Sequence, residues 1–305
     1  MILTVTLNTA LDLTYRVRSL RPHASHRVSE VVERPGGKGV NVARVLAALG
    51  HEVTVTGFAG GATGQVLRER LAGTSGPVDA LVPVAGATRR TIAVVDGRSG
   101  DTTQLNEPGP QIAPAEWGTF LDRYEELLAG ASAVALCGSL PPGVPVGAYA
   151  TLVRTARALG VPALLDTSGE PLRRGVAARP DVIKPNADEL AELTGSHEPS
   201  RATQDARRRG ARAVVASLGA DGLLAVTPEG RWRAAPPSRV HGNPTGAGDA
   251  AVAGLLSGLV ENLDWPARLT RAVALATATV HAPTAGDVGR TAYDELLARV
   301  LVTAA

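Results

Sequence analysis

The residues whose types and spacing most directly suggest chemistry lie in segment 243–250, Asn-Pro-Thr-Gly-Ala-Gly-Asp-Ala. Gly246 and Gly248 allow bare backbone to approach a ligand, and the apolar spacing that follows predicts a helix beginning at this loop. The first amides of a helix have no intrahelical partner, and the peptide dipoles place partial positive charge there, so this end favours an anion. If that anion is a phosphate, the natural task of Asp249 is to accept a proton from an attacking hydroxyl group.

Two other interpretations of this segment stay open on these residues alone. Aspartate is favoured in the first turn of a helix without any chemistry, so the loop could simply cap the helix. The stretch 246–251 also matches the dinucleotide-binding fingerprint G-x-G-x-x-A. That fingerprint needs an apolar strand directly before it, and the stretch 236–244, which contains three prolines, is not such a strand.

The lysines form a second signal. The chain has two, Lys38 and Lys184, among 31 basic residues, so arginine fills nearly every ordinary cationic role. We therefore expect both lysines where a compact ammonium is required in place of a planar guanidinium. Lys38 lies in the glycine-rich turn 35–41, which lacks the serine or threonine that follows the lysine of a Walker loop. Lys184 follows an apolar strand in segment 183–189.

Further polar residues follow other predicted strands. Asp12 lies in segment 8–12 after the first strand, where open α/β sheets bind ligands. Arg89 begins a predicted hairpin and could clamp a phosphate, although a solvated surface arginine is an equal alternative. Ser139 offers a hydroxyl in a segment that a plain turn would also explain, and the glycines of 217–222 could lie against a flat ring. After Lys184, residues Asn186 and Glu189 occupy capping-box positions, so helix capping alone could account for both.

Short β-branched runs alternate with longer helical patterns along most of the chain. This alternation is typical of an α/β protein with a mostly parallel sheet covered by helices on both faces. We expect strands at 2–7, 53–58, 133–137, 163–166, 182–183, 213–217 and 223–226. We expect helices at 40–49, 64–71, 115–128, 146–159, 187–193, 247–259, 266–280 and 293–300.

Two stretches depart from this rhythm. Segments 13–32 and 90–105 alternate apolar and polar residues with a period of two, and Asp96-Gly97 in the second indicates a hairpin turn. Because their outer positions are polar, these strands cannot both be buried in the main sheet. We expect one small β-sheet that stands off the core as a lid. Such a sheet exposes an apolar face and edges, so we expect it to pair with a second copy of the chain.

Composition excludes several classes of protein. A chain of 305 residues with 44% hydrophobic residues can bury a large core. The formal net charge of +2 gives no strong field to attract nucleic acid or a membrane. The single cysteine, Cys137, cannot form an internal disulfide, and the first residues lack a signal-peptide pattern. We therefore expect a cytoplasmic protein without nucleic-acid or membrane partners.

Five motifs, taken in order, resemble those of the ribokinase-like, PfkB-type carbohydrate kinases. They are segments 36–41, 138–141, 184–186 with Glu189, 217–222 and 245–249. Segments 6–12, 106–110 and 242–245 further resemble the branch of 1-phosphofructokinases and tagatose-6-phosphate kinases, with 6-phosphofructokinases close by. The resemblance implies a three-layer αβα sandwich with a small β-sheet lid. It also implies one kinase domain over 1–305, with lid strands inserted at about 13–33 and 88–106.

The resemblance also implies roles for individual residues. The catalytic base would be Asp249, and its anion hole would be formed by Gly246, Ala247 and Gly248. The acceptor sugar phosphate would be bound by Asp12, Gly37, Lys38, Asn41, Arg89 and Ser139. The nucleotide would be bound by Lys184, Asn186, Ser217, Gly219 and Gly222. Glu189 would place magnesium through a water molecule.

The implied reaction is the ATP- and magnesium-dependent phosphorylation of a ketohexose phosphate, either fructose 1-phosphate or tagatose 6-phosphate. A 6-phosphofructokinase, a kinase of an unphosphorylated sugar or nucleoside, and a sensor that has lost catalysis are the alternatives. Asn243 stands where many relatives carry an aspartate that helps to hold a monovalent cation, so potassium activation is left open. Gln104 stands where some 6-phosphofructokinase relatives carry arginine, which disfavours fructose 6-phosphate. His281 and Gly286 fall in the region that borders the adenine, without an assigned role.

Overall fold

The computed structural model describes residues 1–72, 76–238, 244–281 and 287–305. Strands β1 to β9 are Ile2–Thr6, Ala10–Val17, Val28–Gly36, Val53–Ala59, Val78–Asp79, Val82–Pro83, Arg89–Asp96, Thr102–Asn106 and Ala133–Cys137. Strands β10 to β15 are Ala163–Asp166, Val182–Ile183, Ala213–Ser217, Leu223–Val226, Arg231–Ala235 and Leu301–Ala304. Helices α1 to α5 are Lys38–Ala48, Gly61–Ala72, Pro114–Leu128, Ala148–Ala158 and Gly169–Ala177. Helices α6 to α10 are Ala187–Thr194, Pro199–Arg208, Ala247–Val260, Trp265–Val280 and Arg290–Leu297.

The main sheet is mostly parallel, as the alternating pattern predicts. Its strand order is β15-β14-β13-β12-β11-β10-β9-β1-β4-β5, and β6 also pairs with β4. Strands β12, β11, β10, β9, β1 and β4 run parallel to one another, whereas β13, β14 and β15 continue the sheet in antiparallel fashion. Because parallel strands start and end at common edges, the carboxyl ends of the six parallel strands share one edge.

Helices cover both faces of the main sheet, and each face has its own apolar core. Helices α1, α2, α8 and α9 pack on one face, and their buried side chains form one cluster with alternate residues of the strands. Helices α3 to α7 pack on the other face, where the remaining strand residues form a second cluster. The strands are therefore apolar on both sides, as expected for a parallel sheet buried between helical layers. The expected three-layer αβα sandwich is confirmed.

Several elements were not predicted from the sequence. Helix α7 is strongly polar, and its start depends on the Glu198 side chain, which accepts from the amides of Ser200 and Arg201. Strands β14 and β15 extend the sheet at its antiparallel edge, and the last helix, Arg290–Leu297, ends before the predicted limit of 300. These elements are hard to predict because they contain few large apolar residues; the buried residues of α7, for example, are Ala202, Thr203 and Ala206.

The small second sheet is present, with the strand order β3-β2-β7-β8. Strands β7 and β8 form the predicted antiparallel hairpin. The first two strands of this sheet extend beyond the predicted insertion at about 13–33, because β2 begins at Ala10 and β3 ends at Gly36. We call this sheet the lid. Within the described residues, no helix is long and apolar enough to cross a membrane.

Candidate active site

The polar residues that follow the parallel strands meet at the carboxyl edge of the main sheet. Asn8 lies just after β1, Gly138 follows β9 and Asp166 ends β10. Lys184 follows β11 and Ser217 ends β12. Since neighbouring strands are in register, segments far apart in the sequence come together at this edge, where open α/β sheets bind their ligands.

Helix α8 begins beside this edge. Gly246 precedes it in the left-handed conformation with φ of 85°, which glycine adopts without strain. The Ala247 amide donates to the Pro244 carbonyl at 3.1 Å, and the Ala250 amide donates to the Gly246 carbonyl at 2.9 Å. Of the three amides predicted to form an anion hole, that of Ala247 is thus engaged in a turn in this conformation. It can bind an anion only if the turn rearranges.

Asp249 lies in the first turn of α8 with 7% of its surface exposed. The Asn41 side-chain amide donates to Asp249 Oδ2 at 2.9 Å. Burial raises the pKa of Asp249 to about 6, while the positive charge of Lys38 and the hydrogen bond from Asn41 limit the rise. The carboxyl group is therefore mostly ionised at neutral pH and basic enough to take a proton from a hydroxyl group.

Both lysines of the chain meet a single carboxylate. Lys38 Nζ lies 3.4 Å from Asp166 Oδ1, and Lys184 Nζ lies 3.6 Å from the same oxygen. Asp166 is 1% exposed, and its second oxygen, Oδ2, is buried without a hydrogen-bond partner in the described residues. Asp166 raises the pKa of Lys38, with Asp249 and Glu189 acting in the same direction against the effect of burial. Lys38 is thus a permanent cation.

Asp166 was missed as a functional residue by the sequence analysis. The signal available was its position at the end of predicted strand 163–166, which places a carboxylate at the ligand-binding edge of the sheet. No local motif surrounds it, and its partners lie 128 and 18 residues away along the chain, at Lys38 and Lys184. The pairing of β10 with β11 brings Lys184 to Asp166, and the packing of α1, which begins at Lys38, brings the second lysine to the same carboxylate.

A cavity of about 800 Å³ lies between the lid and this edge. We call it the acceptor-side cavity. Four predicted residues line it, namely Lys38, Arg89, Ser139 and Glu189. Asp12, Gly37 and Asn41, predicted for the same site, are not among the lining residues. Asn41 instead contacts Asp249, which is likewise not a lining residue, and Asp12 lies within electrostatic range of Arg89, which is one.

Arg89 is held at the cavity wall by backbone and side-chain acceptors. Its Nε donates to the Asn8 carbonyl at 3.2 Å, and its Nη1 donates to the Thr91 hydroxyl and to the Glu107 carbonyl, each at 3.3 Å. The Asn8 side-chain amide in turn donates to Ser139 Oγ at 3.1 Å. The lid strand β7 and the loop after β9 are therefore tied together through Asn8. This network orients a guanidinium and a hydroxyl toward one cavity.

Asp12 lies on lid strand β2 and is half-buried. Burial raises its pKa to about 6, whereas the charges of Arg89 and Arg44 and a hydrogen bond from Thr91 limit that rise. Gly36 leaves the room that this carboxylate occupies, since a Cβ at position 36 would lie 2.1 Å from Asp12 Cγ.

A second cavity, of about 790 Å³, lies on the other side of the start of α8. We call it the nucleotide-side cavity. Four residues predicted for the nucleotide line it, namely Asn186, Ser217, Gly219 and Gly222, and so does Gly248 of the predicted anion hole. Ala247 lines it as well, and apolar residues of α9, including Val273 and Val280, form a further wall. Lys184 Nζ lies 3.6 Å from the position that a Cβ on Gly248 would occupy, so this ammonium stands beside the first turn of α8.

Asn186 and Glu189 form the predicted capping box of α6. Asn186 Oδ1 accepts from the Glu189 amide at 2.8 Å, and Glu189 Oε2 accepts from the Asn186 amide at 2.9 Å. Glu189 nevertheless also lines the acceptor-side cavity and acts electrostatically on Lys38. Among the described residues there is no cluster of three or more histidine, cysteine, aspartate or glutamate side chains that could hold a metal by themselves.

The sequence analysis also singled out Asn243, His281 and Gly286. Asn243 and Gly286 lie outside the described residues. His281 is described and caps the carboxyl end of α9, one residue beyond Val280 in the wall of the nucleotide-side cavity.

Comparisons with known proteins agree on the family. The sequence profile of the pfkB family carbohydrate kinases matches residues 4–290. A 1-phosphofructokinase of Rhodobacter capsulatus is 41% identical over 283 residues, which cover 91% of this chain and 88% of that protein.

Solved structures show the same likeness in three dimensions. Phosphofructokinase-2 from Escherichia coli in complex with potassium has a TM-score of 0.92 at 30% identity, over 97% of this chain and 98% of the other. The complex of that enzyme with fructose-6-phosphate has a TM-score of 0.90 at the same identity and coverage. The profile covers nearly the whole chain, and the site at the carboxyl edge lies inside the matched region. The chain therefore belongs to the pfkB family of carbohydrate kinases and is a phosphotransferase with a hydroxyl group as acceptor.

Proposed function

We propose that this protein transfers the terminal phosphoryl group of ATP to a hydroxyl group of a ketohexose phosphate, with fructose 1-phosphate as the first candidate. The observation that carries the proposal is the buried Asp249, which lies in the first turn of α8 within the electrostatic influence of both lysines. Asp249 itself lines neither cavity, whereas Lys38 lines the acceptor-side cavity and Gly248, the residue before Asp249, lines the nucleotide-side cavity. The 41% identity to a 1-phosphofructokinase supports fructose 1-phosphate over tagatose 6-phosphate, the other acceptor that the sequence suggests.

In the proposed mechanism, Asp249 is the general base. The acceptor hydroxyl donates its proton to the carboxylate as its oxygen attacks the γ-phosphorus in line, and the bond to the β-phosphate oxygen breaks. Asn41 fixes the orientation of the carboxylate through its hydrogen bond to Oδ2. The amides of Gly246 and Gly248, joined by that of Ala247 once its turn opens, would stabilise the charge on the phosphoryl group in transit.

The two lysines take separate roles in this proposal. Lys38 lines the acceptor-side cavity and, with Arg89 and Ser139, would bind the phosphate that the sugar already carries. Asp12 would accept hydrogen bonds from the sugar hydroxyl groups, and Gly37 would let the sugar approach the backbone. Lys184, beside Gly248, would bind phosphate groups of the nucleotide. Asn186, Ser217, Gly219 and Gly222 would form the remainder of the nucleotide site.

The residues present fit a magnesium ion that is bound mainly through the nucleotide. Magnesium commonly retains several waters and uses one or two carboxylates beside substrate phosphates. Glu189 lies at the cavity wall, and the buried Asp166 Oδ2 lacks a donor, so both can accept from magnesium-bound water. When bound, the ion would neutralise charge on the phosphate oxygens. Activation by a monovalent cation is left as an open part of this proposal, because Asn243 lies outside the described residues.

We also propose that the whole chain, 1–305, forms one kinase domain and that two copies associate through their lids. Val28, Val31 and Leu105 are 41%, 56% and 57% exposed. The strand registers place them opposite Val17, Tyr15 and Ile92 respectively, so all three share one face of the lid. An apolar face of this kind is a suitable contact for the same face of a second copy.

The test of the proposed function is an ADP-release assay with purified protein, ATP and magnesium. The acceptors are fructose 1-phosphate, tagatose 6-phosphate, fructose 6-phosphate, fructose and ribose. We expect the highest kcat/KM with fructose 1-phosphate. Preference for fructose 6-phosphate would assign the protein to the 6-phosphofructokinases, and preference for fructose or ribose would contradict the phosphate-binding role of Arg89 and Lys38. Absence of ADP release with every acceptor would favour a non-catalytic sensor.

A further inference from the structure

Asp287 binds two arginines that belong to different parts of the molecule. Its carboxylate forms an ion pair with Arg34 on lid strand β3 and another with Arg44 on helix α1, whose Nη2 lies 2.6 Å from Asp287 Oδ1. All three side chains are largely shielded from water, with exposed fractions of 32% for Arg34, 20% for Arg44 and 33% for Asp287. Asp287 has no role in the proposed mechanism, yet it joins the lid to the core.

The register of the lid places Arg34 next to Asp12. Strands β2 and β3 are antiparallel, and Asp12 lies directly opposite Arg34. Directly opposed residues share one face of a sheet with their Cβ atoms about 5 Å apart, so opposite charges there ordinarily attract each other. In the described part of the chain, the Arg34 guanidinium is instead bound to Asp287. The cross-strand partner of Asp12 is thus held away from it.

Arg44 is a second cation that acts on the Asp12 carboxylate. Its charge acts on Asp12 electrostatically, and its side chain is bound to Asp287. Asp12 therefore has Arg89, Arg44 and Arg34 around it, but only Arg89 belongs to the wall of the acceptor-side cavity. If either of the other two arginines closed on Asp12, its oxygens would be occupied when a sugar arrived.

We infer that Asp287 is a positioning residue of the acceptor site, which holds Arg34 and Arg44 so that the Asp12 carboxylate stays available to a sugar hydroxyl group. This inference rests on the proposed function to the extent that it assigns Asp12 to the acceptor. The lid register and the two ion pairs stand independently of that assignment. Removing the negative charge at position 287 would leave the Asp12 carboxylate, directly opposite on β2, as a partner for Arg34.

The test uses full-length Asp287→Asn, Arg34→Gln and the double variant. In Asp287→Asn we expect the KM for fructose 1-phosphate to rise about tenfold, the effect of occupying one charge-assisted hydrogen-bond acceptor, while the KM for ATP stays within about twofold. Arg34→Gln alone is expected to resemble the wild type. The double variant is expected to regain most of the wild-type KM, because Arg34 can no longer close on Asp12. A triple variant that adds Arg44→Gln removes the second arginine held by Asp287 and is expected to regain all of it.

A purely structural role of Asp287 predicts different results. Loss of the lid anchor would raise both KM values together or lower the melting temperature, and removing Arg34 as well would not restore binding. Either outcome would overturn the inference.

A second readout separates this inference from the proposed function. The carboxyl carbon of Asp12 can be titrated by NMR in the absence of any substrate. In Asp287→Asn its midpoint is expected to fall as Arg34 pairs with it, and to return in the double variant. A wild-type protein that phosphorylates none of the acceptors would refute the proposed function, whereas an unchanged Asp12 titration would refute the role of Asp287.

Discussion

At the scale of single residues, the burial of Asp249 and its hydrogen bond from Asn41 determine what the site can do. We predict that Asp249→Asn lowers kcat by about 10² to 10⁴, the contribution of a positioned general base, because an amide cannot accept the hydroxyl proton. Binding of ATP is expected to persist, as measured by calorimetric titration. Asp122→Asn, an exposed aspartate on α3, is the matched control. Turnover within tenfold of the wild type would remove Asp249 from the role of base.

The raised pKa of Asp249 predicts the acid limb of the pH profile. A general base works only in its deprotonated form, so kcat is expected to rise with pH around a midpoint of about 6 rather than at the ordinary aspartate value of 3.8. The residual activity of Asp249→Asn is expected to lack this limb. A wild-type midpoint near 4 would show that burial does not tune this carboxyl group in the working enzyme.

Replacing Arg89 tests how the phosphate of the acceptor is bound, separately from the binding of ATP. Arg89→Ala removes a charge-assisted hydrogen bond to that phosphate, so we expect the KM for the sugar phosphate to rise by about tenfold to a hundredfold. The KM for ATP is expected to stay nearly constant, since Arg89 lines the acceptor-side cavity and not the nucleotide-side cavity. Initial rates with each substrate varied in turn measure both constants. An equal rise in the two would place Arg89 outside the acceptor site.

At the scale of elements, the end of lid strand β3 is fitted closely to Asp12. A Cβ added at Gly36 would lie 2.1 Å from the Asp12 carboxylate, which must move because it is the free end of a side chain. We therefore predict that Gly36→Ala raises the KM for the sugar phosphate while the protein still folds, as judged by circular dichroism. Gly118→Ala on α3 is the control, since nothing lies within 4 Å of its added Cβ. Unchanged acceptor kinetics in Gly36→Ala would show that Asp12 tolerates the shift or does not bind the acceptor.

The elements that the sequence predicted best are those buried on a regular period. Strands such as Ala133–Cys137 and helices such as Pro114–Leu128 appear within one residue of their expected limits, because their apolar spacing reflects burial in the sandwich. Helix α7 was missed because few of its residues are apolar, although Glu198 and Pro199 gave a usable start signal. Strands β14 and β15 depend on pairing with distant parts of the chain, which no local pattern encodes.

The site was predicted to the extent that its residues lie in local motifs. The cavities bring together the glycine-rich segments, both lysines and Arg89 much as the motifs suggested. The ion pairs of both lysines with Asp166 were not predicted, and neither were those of Arg34 and Arg44 with Asp287. Each of these contacts joins strands and helices that are far apart in the sequence. The engaged amide of Ala247 was missed because the turn that holds it is a property of the folded loop.

At the scale of the whole molecule, the lid presents an apolar face on which Val28, Val31 and Leu105 are left exposed by the described part of the chain. We predict that Val31→Glu, which places a charge in the centre of this face, converts a dimer into a monomer in light-scattering and sedimentation measurements. Leu159→Glu is the matched control, because Leu159 is 48% exposed but lies at the end of α4, outside the lid. A monomeric wild type, or a dimer that survives Val31→Glu, would contradict assembly through the lids. The cytoplasmic location stays a prediction from the sequence.

If Lys38 and Lys184 each bind the phosphate of one substrate, as proposed, the single Asp166 oxygen that both ammonium groups approach would make the two ligands thermodynamically interdependent. An anion that draws Lys38 away leaves the full negative charge of that oxygen to Lys184, which then attracts a second anion less strongly. Because linkage is reciprocal, each ligand must weaken the other by the same factor. An enzyme that brings two phosphorylated substrates together would thereby gain an intrinsic means of releasing its bisphosphate product, through the movement of two side chains alone.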